Sequence, residues 1–477
     1  MTTRQVDEII FMSARALAES IRARELLARE VMSAFLQQIE RVNAKINAIV
    51  AKLDDEKCLA LAEESDGCLA RSEEVGTLHG LPFAFKDSDP AVGFPLTRGS
   101  KIFKDFMPAE DSVLVERLKR AGVIPIGKTN VSEFGMGSHT YNDVYGTTLN
   151  PYDLTKSAGG SSGGGGAALA AGLLPLASGS DLGGSLRNPA NFNNIVALRP
   201  TVGLVPSAPV ALPFLGFTVK GPMARSVGDV AFLLSAMAGA DIRDPAVYPS
   251  DPSVFTKPLE RNFKNTRVAW CLDLDGLPLD RGVRSVLESQ KKTFADLGCI
   301  VEEAHPDLSG ADEIFLTIRA WNYFHTLGPL LEKHRHEMKP EAVWQIETGR
   351  NLTGSDIAGA MARQGELMER VRRFYEKYEF LLCAVNQVPP FDASISWPRE
   401  IEGVEMTTYI DWMKSAYWIT PTFSPAISVP AGFTADGLPV GIQIVGHYRN
   451  DLGVLQIARA FEQATGFGRR RPQLAMD

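Results

Sequence analysis

Apolar positions in the first fifty residues recur at helical spacing. Val31, Phe35, Ile39 and Val42 fall at i, i+4, i+8 and i+11, which predicts an amphipathic helix with its stripe turned toward the main core. From about Gly80 to Val230 the period changes. Short apolar runs, Leu81–Phe85 and Val123–Ile126, alternate with glycine-rich loops and a helical stretch at Val113–Ala121, an α/β texture. Residues 245–420 read as more helical, with longer charged stretches. The end of the chain returns to α/β. Ala426–Pro430 and Val440–Val445 predict strands joined across Ala435-Asp436-Gly437. A helix follows from Asp451, with Val454, Ile457 and Phe461 on one face and Gly466 as its stop. The C-terminal strands are expected to complete a sheet begun near Gly80, which favours one intertwined domain over two.

Composition narrows the class. The 477 residues are 45% hydrophobic and 22% charged, so a large core can form without a disulfide or metal staple. Lys and Arg number 49 against 57 Asp and Glu, a net charge of −8, which argues against a nucleic-acid or anionic-membrane binder. The five cysteines (Cys58, Cys68, Cys271, Cys299, Cys383) are scattered without a CxxC pair and read as reduced thiols. The first twenty residues carry acids and no apolar signal-peptide core. The most apolar stretch, Ala167 to Ala177, holds Gly172 and Pro175 and is too short to span a bilayer. A soluble cytoplasmic protein is the expectation.

Three motifs offer chemistry that their surroundings do not support. Gly160-Ser161-Ser162-Gly163-Gly164 fits G-x-S-x-G, but a nucleophile elbow needs a preceding strand. Here Asn150-Pro151-Tyr152-Asp153 reads as a turn, and none of His305, His325, His334, His336 or His447 sits in a recognisable motif. Gly122 to Thr129 formally matches a phosphate loop, yet the order is helix, strand, loop, with Gly122 as a helix stop. His334 and His336, at i and i+2, do not share a helical face, and no HExxH occurs. No metal and no nucleotide cofactor is expected.

The glycine–serine run Ser157 to Gly166 has the composition of a linker. It continues directly into the helix former Ala167–Ala171, and a second Gly/Ser loop follows at Gly179–Ala190. Two such loops around a short apolar helix predict backbone brought close to a ligand. A lysine, Lys86, ends the apolar run at Gly80-Leu-Pro-Phe-Ala-Phe-Lys86-Asp87, where burial disfavours its charged form.

Together these segments resemble the amidase signature family. The matching pieces are Gly80 to Asp87, Gly159-Gly-Ser161-Ser162-Gly-Gly, and Gly179-Ser-Asp181-Leu-Gly183-Gly184-Ser185-Leu-Arg187-Asn-Pro189-Ala190, with the family's spacing from Ser161 to Ser185. Gly127 to Asn130, Asn150-Pro151, Gly221 to Arg225, Pro425 to Pro430 and Gly437 to Gly441 also fit. The resemblance implies one α/β domain over residues 1–477, with a central mixed β-sheet flanked by helices. Its parts would be N-terminal helices at 1–60, a catalytic core at about 75–235 and 425–465, and a variable helical substrate-side segment at about 245–420.

The resemblance further implies Ser185 as nucleophile, Lys86 as base, and Ser161 as proton relay on a cis peptide bond. The amides of Leu182, Gly183, Gly184 and Ser185 would form the oxyanion hole. Ser162, Asp181 and Arg187 would support it, the last two as a brace within the loop. The implied activity is cofactor-free hydrolysis of a small-molecule amide, anilide or carbamate, as in aryl acylamidases and urethanases, and the resemblance allows a homodimer. One alternative is the A-type component of the glutamyl-tRNA amidotransferase. There the stretch Asn-Leu-Ala-Gly-Leu-Pro precedes the Pro425 motif, whereas this chain has Thr420-Pro-Thr-Phe423-Ser-Pro425. A non-catalytic binding protein on the same scaffold is a second alternative. Five of six tryptophans (Trp321, Trp344, Trp397, Trp412, Trp418) follow residue 300, as do Phe315, Tyr323, Phe324, Tyr417 and Phe423. An aromatic substrate pocket is expected from this segment, with Trp418, Phe423 and Met136 as lining residues.

Overall fold

A computed structural model describes residues 3–476. The N-terminal stripe is the helix Ala28–Ile46, and Val31, Phe35, Ile39 and Val42 are all buried along it. The helix Val113–Arg120 begins at Ser112, whose hydroxyl accepts the Val115 N–H at 3.3 Å and so satisfies one free donor of the first turn. The predicted C-terminal strands are Ala426–Phe433 and Pro439–Gly446, followed by the helix Asp451–Thr465.

Eight strands form the main sheet. Their order is Ile300–Glu303, Arg267–Trp270, Phe380–Ala384, Pro439–Gly446, Ala426–Phe433, Val196–Arg199, Val219–Ala224 and Leu176–Asp181. The pairings among the first three are parallel and the remainder antiparallel, so the sheet is mixed. Side chains alternate between its faces. Phe380, Leu382 and Ala384 enter the core shared with Ala28–Ile46, Val227–Met237 and Asp451–Thr465. Leu381 and Cys383 enter a second core, shared with Ala311–His334 and Gly354–Phe374. The result is a single α/β domain with helices on both faces of the sheet. Among the described residues no helix is long and apolar enough to cross a membrane.

Two expectations are corrected. The C-terminal strands do not extend the sheet near Gly80. Pro82–Lys86 pairs in parallel with Ile124–Thr129, which pairs with Ile49–Val50 in a separate three-stranded sheet. Pro82–Lys86 does run beside Leu176–Asp181, but they meet through side chains, not through a backbone ladder. Residues 245–420 are also less purely helical than their composition suggests, since three strands of the main sheet come from them. Those strands are four or five residues long, too short to sustain a strand period in the sequence.

Candidate active site

The site lies where Pro82–Lys86 meets the edge strand Leu176–Asp181. Every residue of Pro82–Lys86 is buried, and Lys86 is 1% exposed. Its Nζ lies 2.9 Å from Ser161 Oγ, 2.9 Å from Ser162 Oγ and 3.0 Å from Ser180 Oγ. Burial, and after it the charge of Lys220, push the Lys86 ammonium down from its ordinary 10.5 to about 7, against the pull of Asp89 and Asp181. A neutral amine among three hydroxyls can donate two hydrogen bonds and accept one. One serine can therefore direct its proton at Nζ.

Ser161 and Ser162 are held by the start of the helix Gly163–Ala170, and the Gly160–Ser161 peptide bond is cis. The glycine run is not a linker, and its glycines serve helix docking more than ligand approach. A Cβ on Gly164 would sit 2.3 Å from the Asn130 backbone nitrogen and 2.6 Å from the Ala48 carbonyl oxygen, so only glycine lets this helix reach that backbone. The turn expected at Asn150–Asp153 is present, at Pro151-Tyr152, and a strand, Asp153–Ser157, follows it and precedes the serines. The elbow reading still fails, because the partner of both serines is Lys86 and not a histidine. The phosphate-loop match is also excluded, since Gly127, Lys128 and Thr129 lie within the strand Ile124–Thr129.

Ser185 sits in the loop between Leu176–Asp181 and the helix Arg187–Phe192. Its carbonyl accepts the Ser162 N–H at 3.3 Å, and its side chain lines the same cavity as Lys86 and Ser161 without a hydrogen bond to either. Asp181 and Arg187 brace this loop and are both fully buried. Arg187 Nε and Nη2 donate to the two Asp181 oxygens at 3.0 and 2.9 Å, and its Nη1 donates to the Ala416 carbonyl and Gln443 Oε1 at 2.7 and 2.6 Å. Burial raises the Asp181 carboxyl, but Arg187 and Arg199 outweigh it and hold the group well below the usual carboxylate range.

Asp181 also takes the Gly184 N–H at 2.9 Å. Gly184 is thus not free to donate to an oxyanion, contrary to the sequence expectation. The amides of Leu182, Gly183 and Ser185 have no protein acceptor among the described residues. Gly184 itself has φ 108°, and a Cβ there would lie 2.5 Å from Asn188 Oδ1, so the turn accepts no other residue without rearranging.

The cavity in front of these groups has a volume of about 550 Å³, in the range of small-molecule sites. Of the aromatic segment expected to line it, Tyr323 does so, whereas Met136, Phe423 and Trp418 do not. Met136 is fully buried behind Leu327, Phe423 packs edge-on against Phe217 at 6.1 Å, and the Trp418 indole donates to Asp312 at 3.3 Å. None of the three lines the cavity, nor do the other four tryptophans of the segment. Trp321, Trp397, Trp412 and Trp418 pack in or against the second core instead, as Trp412 does against Phe192 and Phe391, while Trp344 is 41% exposed and lies edge-on to Tyr409. Tyr323 and Phe134 supply the aromatic surface. Sequence reasoning missed Ser180, Lys220 and Arg98. Ser180 and Lys220 carried no motif of their own in the sequence, and they are direct cross-strand neighbours. His334 hydrogen-bonds Glu337 at 2.7 Å, as a surface histidine does.

Comparison with known proteins agrees with this geometry. The family model described as Amidase matches residues 30–455. An acylamidase from Rhodococcus erythropolis is 35% identical over 465 residues, covering 97% of each chain. The A-type component of the glutamyl-tRNA(Gln) amidotransferase from a Cyanothece strain is 31% identical, over 97% of this chain and 100% of its own. A crystal structure of a bacterial aryl acylamidase of the amidase signature enzymes matches with a TM-score of 0.89 and 26% identity, over 97% of this chain and 99% of that one. The chain belongs to the amidase signature family of hydrolases acting on carbon–nitrogen bonds.

Proposed function

We propose that this enzyme cleaves the C–N bond of a small amide, anilide or carbamate through an acyl-enzyme on Ser185. The observation that carries the reading is the buried Lys86 amine, brought to about 7 and hydrogen-bonded to Ser161, in a cavity that Ser185 also lines. Neutral Lys86 takes the Ser161 proton while Ser161 takes that of Ser185, and Ser185 Oγ attacks the carbonyl carbon. A change of the Ser185 side-chain rotamer brings its hydroxyl toward Ser161. The oxyanion is received by the free amides of the Leu182–Ser185 loop. Collapse breaks the C–N bond, and the proton held by Lys86 returns through Ser161 to the leaving amine. Water then attacks the acyl-enzyme by the same relay and frees Ser185. Likeness to an acylamidase and an aryl acylamidase supports amide and anilide substrates.

The amidotransferase reading is weaker. Thr420 stands where that family branch has Asn, and its hydroxyl donates to the Leu182 carbonyl at 2.5 Å, bracing the nucleophile loop from within this chain. The test is treatment with a fluorophosphonate, adduct mapping by mass spectrometry, and hydrolysis of an anilide by the purified chain alone. Modification at Ser185, with turnover lost in Ser185→Ala, is expected. Preferential modification of Ser162, or turnover that survives Ser185→Ala, overturns the assignment.

A further inference from the structure

The cavity has an unbalanced charge. Arg98, Lys220 and His325 line it together with Lys86, and none of its lining residues is acidic. The whole chain, by contrast, carries a net charge of −8. Lys220 is paired from behind with Asp89, and His325 stacks on Trp321 with ring centroids 6.5 Å apart. Arg98 differs from both. Its guanidinium has no carboxylate partner among the described residues, and its one aromatic neighbour is Phe103, with the ring centroid 5.6 Å away. Asp87, whose charge acts on the guanidinium without an ion pair, is occupied by other donors: it accepts the Thr97 N–H at 3.1 Å and the Thr97 hydroxyl.

The backbone of Arg98 is fixed although its head group is free. The residue has φ 53°, in the left-handed region. Its N–H donates to the Asp87 carbonyl at 3.0 Å, and its own carbonyl accepts the Phe134 N–H at 2.8 Å. An arginine held by its main chain, exposed to a cavity and lacking an anion, presents a planar fork of donors that matches two carboxylate oxygens.

On the proposed amidohydrolase reading, we propose that the natural substrate carries a carboxylate and that Arg98 receives it while the scissile carbonyl faces Ser185. Arg98 is thus a specificity-determining residue of the site. The carboxylate can belong to the acyl portion or to the amine portion of the substrate, and two pairs of compounds separate these sources. The acyl pair is the mono-4-nitroanilide of succinic acid against pentanoic 4-nitroanilide. The amine pair is 4-acetamidobenzoate against 4-methylacetanilide. In one of the pairs the wild-type enzyme should favour the carboxylated member in kcat/KM by roughly tenfold or more, the scale of a charge-assisted hydrogen bond. The preference should shrink as salt screens it. Arg98→Asn, which tolerates the left-handed backbone, should bring the ratio within a pair close to one, and Arg98→Lys should restore part of it.

Equal efficiency within both pairs overturns the proposal, and so does a preference that persists in Arg98→Asn. If the wild type cleaves none of the four compounds, the proposed activity is what fails. Calorimetry with Ser185→Ala then decides the present inference from binding alone. Tighter binding of a carboxylated member, lost when Arg98→Asn is added, sustains it, and equal binding overturns it.

Discussion

Replacing Lys86 by methionine is expected to abolish turnover and at the same time stabilise the fold, and both effects have one origin. Methionine is unbranched and fills a similar space without the charge. In the folded protein, burial and Lys220 bring Lys86 from 10.5 to about 7. Each tenfold change in proton affinity is worth about 1.4 kcal/mol, so holding this lysine in place costs the folded state roughly 4–5 kcal/mol at neutral pH. Methionine removes that cost. It also removes the contacts to Ser161, Ser162 and Ser180, each worth about 0.5–1.5 kcal/mol. The net gain at neutral pH is therefore about 0–3.5 kcal/mol. The folded value lies below the unfolded one, so the unfolded chain holds the extra proton between about pH 7 and 10.5, and wild-type stability rises across that window. The advantage of Lys86→Met is thus largest below about pH 7, and it shrinks and then reverses toward pH 10.5, where the lost contacts remain.

In a chain of 477 residues, 1 kcal/mol moves Tm by only about 1 °C. Scanning calorimetry of both proteins at one scan rate, at pH values of about 6, 8 and 10, resolves a difference that moves in favour of wild type as pH rises. Wild-type kcat/KM on an anilide should rise about tenfold per pH unit below about 7 and level off above it. A Lys86→Met protein less stable than wild type at low pH, or a Tm difference that does not move toward wild type with rising pH, would show that Lys86 is held as a paired ammonium.

Lys220→Met removes a charge that pushes Lys86 down, so the rising limb of the pH–rate profile should move to higher pH; an unmoved limb would mean that Asp89 already cancels Lys220. Gly164→Ala should lower the denaturation midpoint by an amount equivalent to about 1–3 kcal/mol, because its Cβ meets the Asn130 backbone at 2.3 Å. Gly165→Ala, whose nearest neighbour is 3.5 Å away, serves as the control, and equal losses would contradict the docking argument. Arg187→Met leaves buried Asp181 with Arg199 as its remaining cation and should cost about 3–5 kcal/mol, seen as a lower Tm; an unchanged Tm would show that Arg187 is not the brace of the nucleophile loop.

The chain's local chemistry was legible in its sequence. The stripe Val31, Phe35, Ile39 and Val42 depends on a period within one helix, and it appears as Ala28–Ile46. Lys86, Ser161, Ser162, Asp181 and Arg187 stand in short motifs whose residue types already limit what they can do, and the fold brings Lys86 to both serines and Arg187 to Asp181. The tertiary structure decided the rest, because it rests on which distant segments touch. The register that sets Ser180 opposite Lys220 belongs to the pairing of two strands some forty residues apart, and that pairing places a second cation beside Lys86. Gly184 carried its family motif in full, yet its amide is committed to Asp181 once the loop folds back. The tryptophans after residue 300 announced an apolar environment but not its location, since the energy of burying a ring is the same in a core as in a pocket. Packing placed four of the five in or against the second core, left Trp344 exposed, and left the cavity to Tyr323, Phe134, Arg98, Lys220, His325 and smaller groups. Composition and periodicity act along the chain and fix elements; charge balance in a cavity sums over segments far apart in sequence, and only the folded arrangement sets it.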